Sequence, residues 1–195
     1  MGQPLALRNA SAARAVHADG VHFVEEGQRP VLGGHVENFL DGRDVAVHGI
    51  EPLDHDQHMT VTIEAKHGCL VDLEVVRTHQ TDTHYAREIT LARQSDGQVV
   101  QYGIVRLNLD YLGPEIRQEI ENRNVPLGRI LIQHDVLRNV RLLSLWSIEP
   151  GPKLCEFFAL DRTQVCHGRT ALIYCNGVPA VELLEVIPPD PTHTP

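Results

Sequence analysis

Charged side chains set inside apolar, strand-forming runs mark where this chain could do chemistry. Arg87 and Arg106 lie in two such runs, 86–94 and 98–108, on either side of Asp96-Gly97, while Arg169, Glu182 and Glu185 lie in the runs flanking Asn176-Gly177. Removing a guanidinium or a carboxylate from water costs several kcal/mol unless the charge is paired or hydrated. Each of these groups must therefore meet an opposite charge, face a cavity, or sit at the end of its strand. Counting pairs back from Ser95 and Gln98 sets Arg87 directly opposite Arg106 on one apolar face, and like charges across a ladder repel. That arrangement asks for an anion between or near them, either a carboxylate ligand or an internal Glu; the alternative is that both arginines reach solvent at the sheet end.

Two hairpins must position these residues. Asn176-Gly177 and Asp96-Gly97 are the dipeptides best suited to two-residue turns with positive φ. Around the first, strict pairing puts Cys175 opposite Val178, Ile173 opposite Ala180 and Ala171 opposite Glu182. Both faces of that hairpin are apolar, so it belongs in a sheet covered on both sides. The same pairing places Glu182 on the face of Arg169 and Glu185 on the other. A β-bulge near Pro179, which cannot donate to the ladder, would shift the return strand by one residue and bring Glu185 to that face instead.

The remaining periodicities predict a short helix near 56–67 stopped by Gly68, a strand from Val71, a helix over Leu112–Asn122 opened by Gly113-Pro114, and a second short helix from Pro126. Strand character returns over Asn139–Ile148, with Trp146 as a packing anchor, and another apolar run follows from Leu154 to Leu160. Strands outnumber helices and hairpins connect them, which predicts an α+β fold, one antiparallel sheet with a few helices packed against it. Residues 1–50 read as a partly ordered amino-terminal extension, 51–189 as the folded domain, and 190–195 as a frayed tail.

Composition narrows the function. With Lys and Arg totalling 17 against 26 Asp and Glu, the net charge of −9 argues against a chain whose main task is gripping nucleic acid. No apolar run is long enough to span a bilayer and no secretory h-region opens the chain, which predicts a cytoplasmic protein without a membrane partner. Cys69, Cys155, Cys166 and Cys175 show no CxxC pair, and the 12 histidines show no HExxH and no tight cluster; His55 and His58, three apart, could share a helical face, but surface histidines are the commoner case and no metal is expected.

Four segments together, HMTVTIEA (58–65), Ala86-Arg87-Glu88, VPLGRIL (125–131) and GRT (168–170) followed by NGVPAVELLEVIPP (176–189), resemble the chorismate pyruvate-lyase superfamily from His58 to Pro189. The resemblance implies a single antiparallel sheet of about six strands with helical flaps enclosing a ligand cavity, and a carbon–oxygen lyase that eliminates pyruvate from chorismate to give 4-hydroxybenzoate without metal or organic cofactor. It implies that Arg87 binds the ring carboxylate, that the backbone amides of Met59 and Leu127 contact the ligand from two flaps, and that Glu185 approaches the hydroxyl side of the ring. Arg106, Arg169 and Glu182 complete the expected substrate-binding set. Glu185 or Glu182 would accept a proton or anchor the hydroxyl, while arginines hold carboxylates.

Two other readings stay open. The same fold could act on another unsaturated carboxylic acid as a lyase, dehydratase or cyclase. It could also be a non-catalytic small-ligand-binding module, since effector domains of some transcription regulators share it. In each case the partner is a small-molecule carboxylate, and the sequence leaves the oligomeric state open.

Overall fold

The structure, a computed structural model, describes residues 58–161 and 164–190, Leu53, and the backbone of three short strands, β1 (Val16–Ala18), β2 (Val21–Phe23) and β3 (Leu40–Asp44). The helix α1 (Met59–His67) follows, ended by Gly68 at φ 63°, where a residue lacking Cβ enters the left-handed region without strain. Strands β4 (Val71–Gln80), β5 (His84–Arg93) and β6 (Val99–Asn108) then form a meander. Next come α2 (Pro114–Asn122) and α3 (Leu127–Gln133), each opened by a proline at or beside its first residue. The chain finishes with β7 (Arg138–Pro150), α4 (Pro152–Phe158), β8 (Cys166–Cys175) and β9 (Val178–Ile187).

Strands β4–β9 make one antiparallel sheet, the expected fold class, in the order β7-β8-β9-β6-β5-β4, and β3 pairs with the outer edge of β7. The sheet therefore takes in a strand from before residue 50. Apart from β1, β2 and β3, the expected extension lies outside the described residues, as does the end of the tail, 191–195. Among the described residues no helix is long and apolar enough to cross a membrane.

Both faces of the sheet are covered, as the doubly apolar hairpin requires. On one face, Met59 and Ile63 of α1 pack with Ile89, Leu91 and Leu145, and Ile120, Leu127, Ile130 and Leu131 of α2 and α3 pack with Val105, Val140, Ile173 and Leu183. On the other, Leu154 and Phe158 of α4 pack with Tyr102, Ile104, Trp146, Leu184 and Val186. The apolar run at 154–160 is thus a helix capping the reverse face.

The registers differ from strict two-residue pairing in both hairpins. Arg93 and Gln98 close the β5–β6 turn around residues 94–97, and a further shift falls between Leu91 and Ala92, so Arg87 stands opposite Val105 and Arg106 opposite Ala86. The expected facing pair of arginines is corrected: they lie on opposite faces. In the β8–β9 hairpin the turn keeps Cys175 opposite Val178, but a shift between Ile173 and Tyr174 places Ile173 opposite Val181 and Arg169 opposite Glu185. The bulge lies at Pro179 and Ala180, and every residue beyond it changes face relative to strict pairing.

Candidate ligand-binding site

One sheet row runs Ile89, Gly103, Glu185, Arg169 and Leu145 across β5, β6, β9, β8 and β7, and the neighbouring row runs Arg87, Val105, Leu183 and Ala171. Two arginines, a glutamate and Gln101 thus converge on the face beneath α1 and α3. Arg169 and Arg87 are each 1% exposed, Gln101 2% and Glu185 8%. Arg169 Nε donates to Glu185 Oε2 at 2.6 Å and its Nη1 to the Leu53 carbonyl at 3.4 Å, while Gln101 Nε2 donates to Glu185 Oε1 at 3.3 Å. Both oxygens of Glu185 are engaged, and the Arg169 charge is neutralised in place.

Arg87 differs. None of its three guanidinium nitrogens has a hydrogen-bond partner among the described residues. Burial lowers its pKa from the ordinary value, opposed by the nearby Tyr85 hydroxyl, although no hydrogen bond of normal geometry joins the two. A buried, unpaired guanidinium is among the most expensive groups a fold can carry, and arginine stays protonated under any ordinary condition. It is a standing demand for an anion.

The walls are completed by the starts of two helices. Met59 and Thr60 open α1, and Leu127 and Gly128 open α3; all four line the cavity together with His58 and Pro126. The first N–H groups of a helix have no preceding carbonyl to bond, so α1 offers donors at this wall. A Cβ on Gly128 would sit 3.2 Å from His58 Cβ, so the two helix starts pack as closely as a glycine permits. Arg129 and Glu64 pair across them, tying α3 to α1. The cavity is small, about 30 Å³. His58 is held neutral by burial, with Arg138 and Arg169 adding to the effect, its pKa lowered to about 4. With Arg169 and Glu185 cancelling, the lining carries one net positive charge.

Of the residues singled out from sequence, Arg87, Arg169, Glu185, Met59 and Leu127 line this cavity. Arg106 and Glu182 do not. They pair with each other at 3.2 Å on the opposite face, because the two register shifts turn them away. Sequence reasoning missed Gln101, which looks like an ordinary polar residue of the outward face until the bulge at Leu91/Ala92 is known. It also missed His58 as a wall residue, whose one signal was its position just before a helix start.

No family model matches the chain, and no curated protein matches it. Solved structures do. The effector domain of PhnF from Mycobacterium smegmatis superposes with a TM-score of 0.53 at 13% identity, over 69% of this chain and 90% of that one. A longer PhnF structure gives 0.51 at 13% identity over 67% of this chain, which spans only 63% of that PhnF chain. A GntR-family transcriptional regulator from Bacillus cereus scores 0.44 at 11% identity over 64% of this chain and 94% of that one, too low to support any argument. Identities of this size show shared fold and nothing finer.

The two neighbours that superpose above a TM-score of 0.5 are PhnF structures, one of them an effector domain, and not chorismate lyases. The expected membership of the chorismate pyruvate-lyase superfamily, and with it lyase activity on chorismate yielding 4-hydroxybenzoate and pyruvate, is corrected on that finding. The geometry agrees in one respect: Glu185, the expected proton acceptor, already accepts from Arg169 and Gln101.

Proposed function

We propose that this chain is a non-catalytic ligand-binding module whose ligand is a small organic monoanion, held by its carboxylate on Arg87 beneath α1 and α3. The observation that carries the reading is the Arg87 guanidinium, buried to 1% exposure with no hydrogen-bond partner among the described residues. A carboxylate there would accept paired N–H bonds from the guanidinium fork and meet the first turn of α1 at Met59 and Thr60. Arg169 and Glu185 act as a neutral, rigid floor. The neighbours' effector role fits a domain that reports on a small molecule, and a small-molecule partner is consistent with them.

Net charge alone carries the expectation of no nucleic-acid partner, and the regulator neighbours count against extending it to a whole protein. Titration calorimetry with benzoate as a probe tests the ligand reading. Saturable binding that Arg87→Met weakens at least tenfold supports it; no binding, or binding indifferent to Arg87, overturns it.

A further inference from the structure

The cavity around Arg87 holds about 30 Å³, room for little more than one water. Sites for organic ligands commonly span several hundred Å³. An anionic head fits against Arg87; the body of its ligand must lie elsewhere. Next to this cavity is a second, open space of about 700 Å³, bounded by Val61 of α1, Ile132 of α3 and the segment Asp135–Val140. The two spaces share two wall residues, His58 and Val140.

Three features suggest that this outer groove continues the ligand site. Three large apolar side chains stand exposed along it, Leu137 at 74%, Val61 at 45% and Ile132 at 37%, beside the polar Asp135, Arg138 and Asn139. The imidazole of His58, one of the two shared walls, has its Nε2 buried without a hydrogen-bond partner among the described residues, so no hydrogen bond at that atom holds the ring in place. A turn of this ring would drag no charge, because burial and the two neighbouring arginines hold it neutral.

Resting on the reading that Arg87 binds a carboxylate, we infer that the site runs past His58 into this groove and accepts an acid with an elongated apolar body. The carboxylate occupies the inner cavity, His58 swings aside as the gate, and the far end of the body lies on Val61, Ile132 and Leu137. Length would then be the selected property, since the small inner cavity excludes a bulky head whereas the open groove tolerates a long tail.

The test compares two rigid acids, benzoate and biphenyl-4-carboxylate, by titration calorimetry against the wild type, a Val61→Ser/Leu137→Ser double variant and Arg87→Met. Both serines replace exposed residues, so folding is preserved. The expected result is that the biphenyl acid binds the wild type at least tenfold tighter than benzoate. The double variant should lose that gain while its benzoate affinity stays unchanged, and Arg87→Met should weaken both acids. Equal affinities for the two acids, or a gain that survives in the double variant, would overturn the groove while leaving the Arg87 site standing. If neither acid binds the wild type, or Arg87→Met weakens neither, the carboxylate reading fails and the groove with it.

Discussion

Arg169 and Glu185 face each other directly across β8 and β9, Nε to Oε2 at 2.6 Å, both buried beneath the flap helices. Breaking one half of such a pair leaves an uncompensated charge in the core, which costs about 3–5 kcal/mol. Glu185→Leu should therefore destabilise the fold by about that amount, measured as a lower urea midpoint with unchanged slope. The double variant Arg169→Met/Glu185→Leu should recover most of the loss. A double variant no better than the single one would show that the pair contributes little.

Arg87 should behave in the opposite sense. Its guanidinium is buried without a hydrogen-bond partner, so replacing it by Met removes a desolvated charge and keeps most of the volume. The ligand-free protein should gain about 1–3 kcal/mol, which calorimetry would record as a higher Tm. Binding strength would then have been exchanged for stability at one residue. A lower Tm in Arg87→Met would mean the guanidinium is satisfied in solution.

Gly168 precedes the arginine of the buried pair, and its hydrogen faces β9. A Cβ there would come within 2.7 Å of Ile148 Cδ1 and 3.0 Å of the Glu185 carbonyl oxygen. The Ile148 tip can rotate away, whereas the carbonyl is part of the ladder. Gly168→Ala should cost about 1–3 kcal/mol by overpacking, read as a fall in thermal midpoint. A neutral substitution would show that β8 and β9 can separate freely at this row.

His58 sets a pH dependence. Its folded pKa is lowered to about 4 from the ordinary 6.5, chiefly by burial. The unfolded chain therefore binds the extra proton first, and the stability that depends on a neutral His58 is complete above about 6.5. That contribution should be lost as pH falls through the interval from 6.5 to 4. His58→Asn should flatten the decline in urea midpoint over this interval, and an identical slope in both proteins would remove His58 from the account.

Much of the fold was legible in local signals, because turns and caps are written in short residue patterns. Asn176-Gly177, Asp96-Gly97 and Gly68 marked where strands and a helix stop, and Pro114 and Pro126 where α2 and α3 start. What was not legible is register. The closure of the β5–β6 turn by Arg93 and Gln98, and the shift at Leu91/Ala92, depend on twist and on packing across the sheet. One residue of error there moved Arg106 from the reverse face to the cavity. The bulge at Pro179 could be anticipated because proline leaves a visible gap in the donor pattern. The helix α4 was obscured for another reason: its short apolar run, Leu154–Leu160, suits a buried strand as well as a helix until the flanking Gly151-Pro152 is read as a helix start.

The bulge at Pro179 also acts as a parity bit. On a strand, sidedness depends only on whether a residue is an odd or even number of steps from the point where pairing is set. Glu182 and Glu185 are separated by an odd number of steps, so one always faces the cavity while the other faces α4's side of the sheet, and the inserted residue decides which. Deleting Ala180 would leave every downstream side chain chemically intact and invert the assignment of all of them. For this hairpin, a change in length of a single residue carries more functional consequence than most changes of residue type.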